Sequence, residues 1–237
     1  NETSTGVTND LASVAKIVKG EFDKLFLVDA ISSMGSIPCP VDAWQLDVVT
    51  SGSQKGWMSP PGLAFVSVSQ RGWMAAAESK LPRFYFDLNA AKRYMERGQT
   101  PWTPAVSVFY ALDAALDLLM KEGMQKVYER QARIAKMCRN GVKKLGLRLL
   151  ADEAVASNTV TAVQGPDGVD VSKLLALLRS EYSVVLATGQ GSLAGKIFRI
   201  GHLGYCPEED MRGVLRALEA ALPKVGFQPA GAASRSR

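Results

Sequence analysis

Two short stretches decide the fold class: LFLVD at residues 25–29 and LDVVTSGSQK at residues 46–55. The first is a continuous apolar run, which predicts a strand buried on both faces of a parallel sheet. Asp29 stands at the carboxyl end of that strand. The second stretch predicts another strand, which runs into the turn that contains Lys55.

The pattern continues on both sides of these strands. Helices alternate with strands, so the sequence predicts an α/β fold with a mainly parallel first sheet and an α+β unit at the C-terminal end. Breakers at Gly98, Pro101 and Pro104 mark a change of architecture, and we expect one unit at residues 1–122, a second at 123–228 and a disordered tail at 229–237. The predicted strands lie at residues 25–28, 46–50, 63–68, 157–163, 184–186 and 196–200, and the predicted helices at 8–20, 105–122, 124–144, 171–181 and 207–222.

Composition excludes several classes of protein. The 237 residues are 47% hydrophobic and 22% charged, which is typical of a globular chain, and no apolar run reaches the length of a membrane-spanning helix. The 28 basic and 23 acidic residues are interspersed, so we expect neither a nucleic-acid nor a membrane partner. Three distant cysteines indicate free thiols, and a single histidine argues against a metal site. No secretory signal is recognisable, so the expected localisation is cytoplasmic.

Asp29 and Lys55 form the pair with the clearest chemical meaning. Both follow strands, and ligands of open α/β sheets bind beyond the carboxyl ends of strands. Pyridoxal 5'-phosphate needs this pair, because a lysine amine condenses with its aldehyde and a carboxylate keeps its ring nitrogen protonated. On spacing alone, a turn-capping Asp29 and a solvated Lys55 stay an open alternative.

Four motifs make the pattern more specific: NETSTGV at residues 1–7, LVDAISS at 27–33, SGSQKGWMSPPG at 51–62 and KIFRIGHLG at 196–204. In this order they resemble the class V aminotransferases, and within them the serine– and alanine–glyoxylate branch. The resemblance extends from residue 1 to about residue 225. It implies a pyridoxal phosphate transferase of fold type I, whose large domain ends near residue 122 and whose small domain follows.

The resemblance also implies roles for individual residues toward the cofactor. Lys55 would be the lysine that binds the cofactor aldehyde and then moves the substrate proton, and Asp29 would pair with the pyridine nitrogen. Thr3 would hydrogen-bond the ring oxygen, and Gln54 would reach the phosphate or the ring edge. Thr103 would reach the phosphate in a neighbouring subunit, so the resemblance implies a homodimer.

Arg199 would hold the substrate carboxylate, a role that suits the planar two-pronged guanidinium. The implied reaction moves the amino group of serine or alanine to glyoxylate or a similar 2-oxo acid. The glycine-rich phosphate loop and the aromatic residue of the family's cofactor site would lie upstream of Asn1, so we expect the isolated chain to be poorly active. Two alternatives stay open: a non-catalytic fragment or interaction module of the same fold, and a cysteine desulfurase-like lyase, although residues 187–196 contain no cysteine.

Overall fold

A computed structural model describes residues 1–228, which form two three-stranded sheets packed against helices. The predicted tail at 229–237 lies outside the described residues. A π-helix, Lys16–Glu21, continues directly from the first α-helix. The strands are β1 Leu27–Asp29, β2 Val48–Gly52, β3 Ala64–Val68, β4 Val160–Gln164, β5 Ala187–Thr188 and β6 Ile197–Gly201, and the α-helices are α1 Leu11–Ala15, α2 Gln70–Glu78, α3 Leu88–Met95, α4 Val106–Glu122, α5 Met124–Lys144, α6 Val171–Tyr182 and α7 Glu208–Ala221.

The first sheet has the order β1-β2-β3 and is mixed rather than mainly parallel. β1 and β2 are parallel, as predicted, with Asp29 opposite Thr50. β2 and β3 are antiparallel, so the expectation of a mainly parallel sheet is wrong for the third strand. The reason is the short connection over residues 53–63, which turns back at Pro60-Pro61-Gly62, whereas a parallel pair needs a longer crossover that usually contains a helix.

The predicted burial of β1 on both faces is also wrong. Val28 is buried and packs in a small core with Ala15, Leu46 and Val49, but Leu27 on the other face is 62% exposed. No described residue covers that face of the strand. Leu27 therefore departs from the predicted burial in the part of the chain that the structure describes.

The second sheet has the order β4-β6-β5, with both pairs antiparallel. β6 is the central strand, and its residues Ile197 to Ile200 are all buried. Ile134 of α5, Leu174 of α6 and Leu218 of α7 are fully buried in one core with Phe198. This packing holds β6 rigidly, and with it the guanidinium of Arg199.

The N-terminal segment joins the two sheets. Val7 pairs with Ala156, and the Ser157 N–H donates to the Gly6 carbonyl at 2.8 Å. Gly6 has φ +73°, and a Cβ atom there would lie 3.1 Å from the Ala162 nitrogen, so this close crossing favours glycine. The segment carries Thr3 toward the second sheet. The predicted division after residue 122 stays a prediction.

Residues 70–95 contain two helices for which the sequence analysis made no prediction. The Ser69 hydroxyl accepts a hydrogen bond from the Gly72 N–H at the start of α2, and the Asp87 carboxylate accepts one from the Asn89 N–H at the start of α3. These are ordinary N-cap interactions. Within residues 1–228, no helix combines the length and the apolar character needed to cross a membrane.

Candidate active site

A cavity of about 890 Å³ collects residues of the second sheet together with Ser32 and Lys55, which lie in the loops that follow β1 and β2. Three of the predicted site residues, Thr3, Lys55 and Arg199, line it. Its volume falls within the range of small-molecule sites in proteins. The fold therefore brings together an amine, a hydroxyl and a guanidinium from three distant parts of the chain.

The turn after β2 holds Lys55 by backbone hydrogen bonds. The Lys55 N–H donates to the Gly52 carbonyl at 3.4 Å, and the Lys55 carbonyl accepts from the Met58 N–H at 3.1 Å. The buried Ser53 hydroxyl closes the base of the turn by donating to the Pro60 carbonyl at 2.7 Å. Lys55 itself is half-buried, so its side chain leaves an ordered backbone and enters the cavity.

Arg199 is fixed by two hydrogen bonds to backbone carbonyls. Its Nε donates to the Thr188 carbonyl of β5 at 2.9 Å, and its Nη1 donates to the Thr3 carbonyl at 3.2 Å. Only 8% of the residue is exposed. Because the guanidinium is planar, these two bonds determine its plane and present it at the wall of the cavity.

The other three predicted site residues do not line the cavity. Asp29 is exposed at the end of β1, beside the strand that leads to Lys55, and its Oδ1 accepts from the Ile31 N–H at 2.9 Å. Gln54 is exposed, and its side chain folds back over Gly52. Thr103 is exposed before α4. The contact with the Ile31 N–H is the turn-capping interaction that was left open as an alternative for Asp29.

A polar cluster at the cavity wall was missed by the sequence analysis. The Asn1 side-chain amide donates to the Ser32 hydroxyl at 2.8 Å and to the Thr159 hydroxyl at 2.9 Å, and both of these residues line the cavity. The Thr8 hydroxyl donates to Asn1 Oδ1 at 3.2 Å. Asn1 opens the NETSTGV motif, but no property of that motif indicates which distant hydroxyls it meets.

His202 is buried beside the site rather than exposed in it. Its Nε2 lies 2.9 Å from the Thr161 hydroxyl, and only 1% of the residue is exposed. Burial, with a smaller contribution from the positive charge of Arg139, lowers the pKa of His202 to about 3. The side chain is therefore neutral at physiological pH.

The cysteines do not supply a nucleophile to this cavity. Cys39, Cys138 and Cys206 are free thiols, as predicted, and none of them lines the cavity. Burial raises the pKa of Cys138 to about 12. Among residues 1–228, no three side chains of His, Cys, Asp or Glu lie together in a way that could hold a metal ion.

Comparison with known families and proteins agrees with this geometry. The model of the family described as aminotransferase class-V matches residues 1–214, so the chain belongs to the class V aminotransferases. It is 44% identical over 241 residues to a protein of Synechococcus sp. (strain PCC 6716) described as soluble hydrogenase, small subunit. That match covers 100% of this chain and 62% of the relative. The chain is 38% identical over 229 residues to the serine–glyoxylate aminotransferase of Methylorubrum extorquens, covering 94% of this chain and 57% of that enzyme.

The fold is similar to that of solved aminotransferases. The alanine–glyoxylate aminotransferase of Nostoc sp. superimposes with a TM-score of 0.89 and 31% identity, covering 93% of this chain and 59% of that one. This chain thus spans about 60% of the length of its relatives. The family resemblance stated from the four motifs is confirmed.

The residues present fit pyridoxal phosphate, the family's cofactor. A half-buried lysine supplies the amine that its aldehyde requires, and the cavity presents a hydroxyl and a guanidinium beside that amine. The polar and apolar parts of the wall suit a ring with charged substituents. Asp29 lies at the end of the adjacent strand, with its carboxylate accessible.

Proposed function

We propose that the protein is a pyridoxal phosphate-dependent transaminase that moves the amino group of serine or alanine to glyoxylate or a similar 2-oxo acid. One observation carries the proposal: Thr3, Lys55 and Arg199 line a single cavity although they lie far apart in the sequence. Bound in that cavity, pyridoxal phosphate would act as an electron sink for the substrate α-carbon.

Each residue then has a distinct task. The Lys55 amine would bind the cofactor aldehyde and, once released, would carry a proton to and from the substrate α-carbon. Asp29 would hold a proton on the pyridine nitrogen, and the Thr3 hydroxyl would donate to the ring oxygen. Gln54 would reach the phosphate or the ring edge. Arg199 orients the substrate by holding its carboxylate in a fixed plane.

The choice of substrates rests on the relatives and on the site. The serine–glyoxylate aminotransferase of Methylorubrum extorquens and the alanine–glyoxylate aminotransferase of Nostoc sp. share glyoxylate in their names. Serine, alanine and glyoxylate each carry one carboxylate on a small skeleton. A single buried Arg199 matches that shared group, so one cavity can accept the donor and then the acceptor.

Reductive trapping tests the central assignment. The protein is incubated with pyridoxal phosphate and borohydride, and the modified peptide is identified by mass spectrometry. We expect the adduct on Lys55 and only weak turnover of serine or alanine with glyoxylate in the same preparation, because this chain spans about 60% of the length of its relatives. An adduct on Lys80 or Lys196, both exposed, would remove the assignment. Lys55→Arg is the matched control because it keeps the charge but cannot bind the aldehyde.

A homodimer would account for Thr103. This residue is exposed and does not line the cavity of its own chain, so it would reach a cofactor phosphate only in a partner subunit. Beside it, Phe84, Phe86 and Trp102 expose aromatic surface of the kind that subunit interfaces cover. Sedimentation of the wild-type protein and of Phe86→Asp tests this part, and a monomeric wild type would contradict it.

A further inference from the structure

The turn that carries Lys55 is held between two loops. On one side it meets the loop that follows β1, where a Cβ atom on Gly56 would clash with the Met34 carbonyl oxygen. On the other side it meets the loop that follows β6. There a Cβ atom on Gly204 would lie only 2.9 Å from the Lys55 carbonyl oxygen, and Gly204 has φ +74°. Both contacts therefore depend on glycine.

These two loops follow the strands that carry Asp29 and Arg199. The loop that contains Met34 begins directly after Asp29, and the loop that contains Gly204 begins three residues after Arg199. Backbone contacts through the Lys55 turn thus fix how the ends of β1 and β6 lie relative to the amine. The distances among the Asp29 carboxylate, the Lys55 amine and the Arg199 guanidinium therefore depend on these two backbone contacts.

Helix α5 anchors the loop that contains Gly204. The buried Gln131 amide donates to the Gly204 carbonyl at 2.7 Å, and Arg130 Nη1 donates to the same oxygen at 3.1 Å. Arg130 is in turn held by Glu122 at the end of α4, through contacts of 2.7 and 3.0 Å. Two donors on one carbonyl leave the Gly204 peptide little freedom to move.

We propose that Gly204, held by Arg130 and Gln131, is a positioning residue for Lys55. This inference rests on the proposed function and adds to it a second set of residues, none of which touches the substrate. Gly204 meets the backbone of Lys55 and not its amine, so it sets where the side chain begins. Arg130 and Gln131 of α5 then contribute to the site as well as to the fold.

The size of the effect follows from the contact distance. Ordinary carbon–oxygen contacts begin near 3.4 Å, so a methyl group on Gly204 would push the Lys55 turn away by about half an ångström. A misplacement of about 1 Å can cost about 100-fold in rate. We therefore expect Gly204→Ala to slow the reactions of Lys55 by about tenfold.

Gly168→Ala is the matched control. Gly168 has φ +77°, close to the value at Gly204, but no atom lies within 4 Å of a Cβ built there. Both variants therefore carry the same backbone strain, and only Gly204→Ala meets Lys55. The readouts are the rate of borohydride trapping at Lys55 with pyridoxal phosphate, hydrogen exchange in peptides covering residues 53–59, and kcat against KM for alanine and glyoxylate.

A second pair of variants avoids the strained glycine. Arg130→Gln removes one donor to the Gly204 carbonyl and the ion pair with Glu122. Arg133 lies on the same helix as Arg130, and Arg133→Gln removes only its exposed ion pair with Glu208 of α7. We expect faster exchange at residues 53–59 in Arg130→Gln and wild-type exchange in Arg133→Gln. This comparison tests the anchor even if Gly204→Ala fails to fold.

The expected pattern is slower trapping, faster exchange and a lower kcat with nearly constant KM in Gly204→Ala and Arg130→Gln only. Equal trapping and exchange in each variant and its control would overturn the inference. Wild-type protein that traps the cofactor on Lys55 but transaminates none of the proposed substrates would refute the proposed function, while the trapping and exchange comparisons would still decide the role of Gly204.

Discussion

Arg199→Lys is the sharpest test of how the site recognises its substrate. The structure holds the guanidinium by Nε to Thr188 and by Nη1 to Thr3, with 8% of the residue exposed. A lysine has a single nitrogen, so it cannot keep both backbone contacts and also present two parallel donors to a carboxylate. Disturbing one partner of a buried hydrogen-bonded charge pair costs about 2–5 kcal/mol. That loss corresponds to roughly 30-fold to 4,000-fold weaker binding.

The assay compares alanine with alaninamide, which lacks the carboxylate. Binding is followed by the absorbance of the bound cofactor in wild type, in Arg199→Lys and in Arg148→Lys, an exposed control that pairs loosely with Asp167. We expect Arg199→Lys to lose the preference for alanine over alaninamide, and Arg148→Lys to keep it. Equal loss for both ligands would show that Arg199 only supports the Thr3 segment, and an unchanged preference would place the carboxylate elsewhere.

Three further changes test other parts of the account. Asp29→Asn should keep the fold, since an amide oxygen still accepts from the Ile31 N–H. It should lower turnover about 10- to 1,000-fold, because an opposite charge raises the pKa of the protonated ring nitrogen by about 1–3 units. Wild-type turnover would contradict this role. Lys19→Met should destabilise the protein by about 3–5 kcal/mol in denaturant titrations, because it strips the cation from the buried Asp47 carboxylate, whereas the exposed Lys24→Met should change little. The folded-state pKa of His202, about 3, lies below its ordinary value, so the unfolded chain takes up the proton first and stability falls as pH drops below about 6.5. Between pH 6.5 and 5 the loss should be about 2 kcal/mol, and His202→Gln should remove that slope.

Asp47 adds to the same acid sensitivity at lower pH. Burial raises its pKa, but hydrogen bonds from Lys19, the Phe26 N–H and Ser69 outweigh burial and leave the pKa below its usual value. The stabilisation is therefore complete above the unfolded-state pKa and is lost as pH falls through the folded-state value. Of these two groups, only His202 should therefore contribute above about pH 4, and both should contribute between about pH 4 and about pH 3.

The sequence by itself determined the α/β class of the fold and the family, and it predicted Lys55 as a candidate site residue. Apolar runs that end in Asp29 and in the SGSQK turn are local patterns, and local patterns suffice to predict strands and the residues that follow them. The KIFR stretch likewise predicted a strand bearing Arg199, which the structure has at Ile197–Gly201. The antiparallel orientation of β3 could also have been predicted, because residues 53–63 are too few to hold the helical crossover that a parallel pair uses.

Only the tertiary structure decided which of the candidate residues share a cavity. Thr3, Lys55 and Arg199 meet because the N-terminal segment crosses β4 and because β6 lies in the middle of its sheet. The exposure of Leu27 among residues 1–228 could not be predicted, since an apolar residue looks the same in a sequence whether or not another element covers it. The contact of Gly204 with Lys55 is likewise a meeting of two backbones, and long-range backbone approach leaves no periodic signal in a sequence.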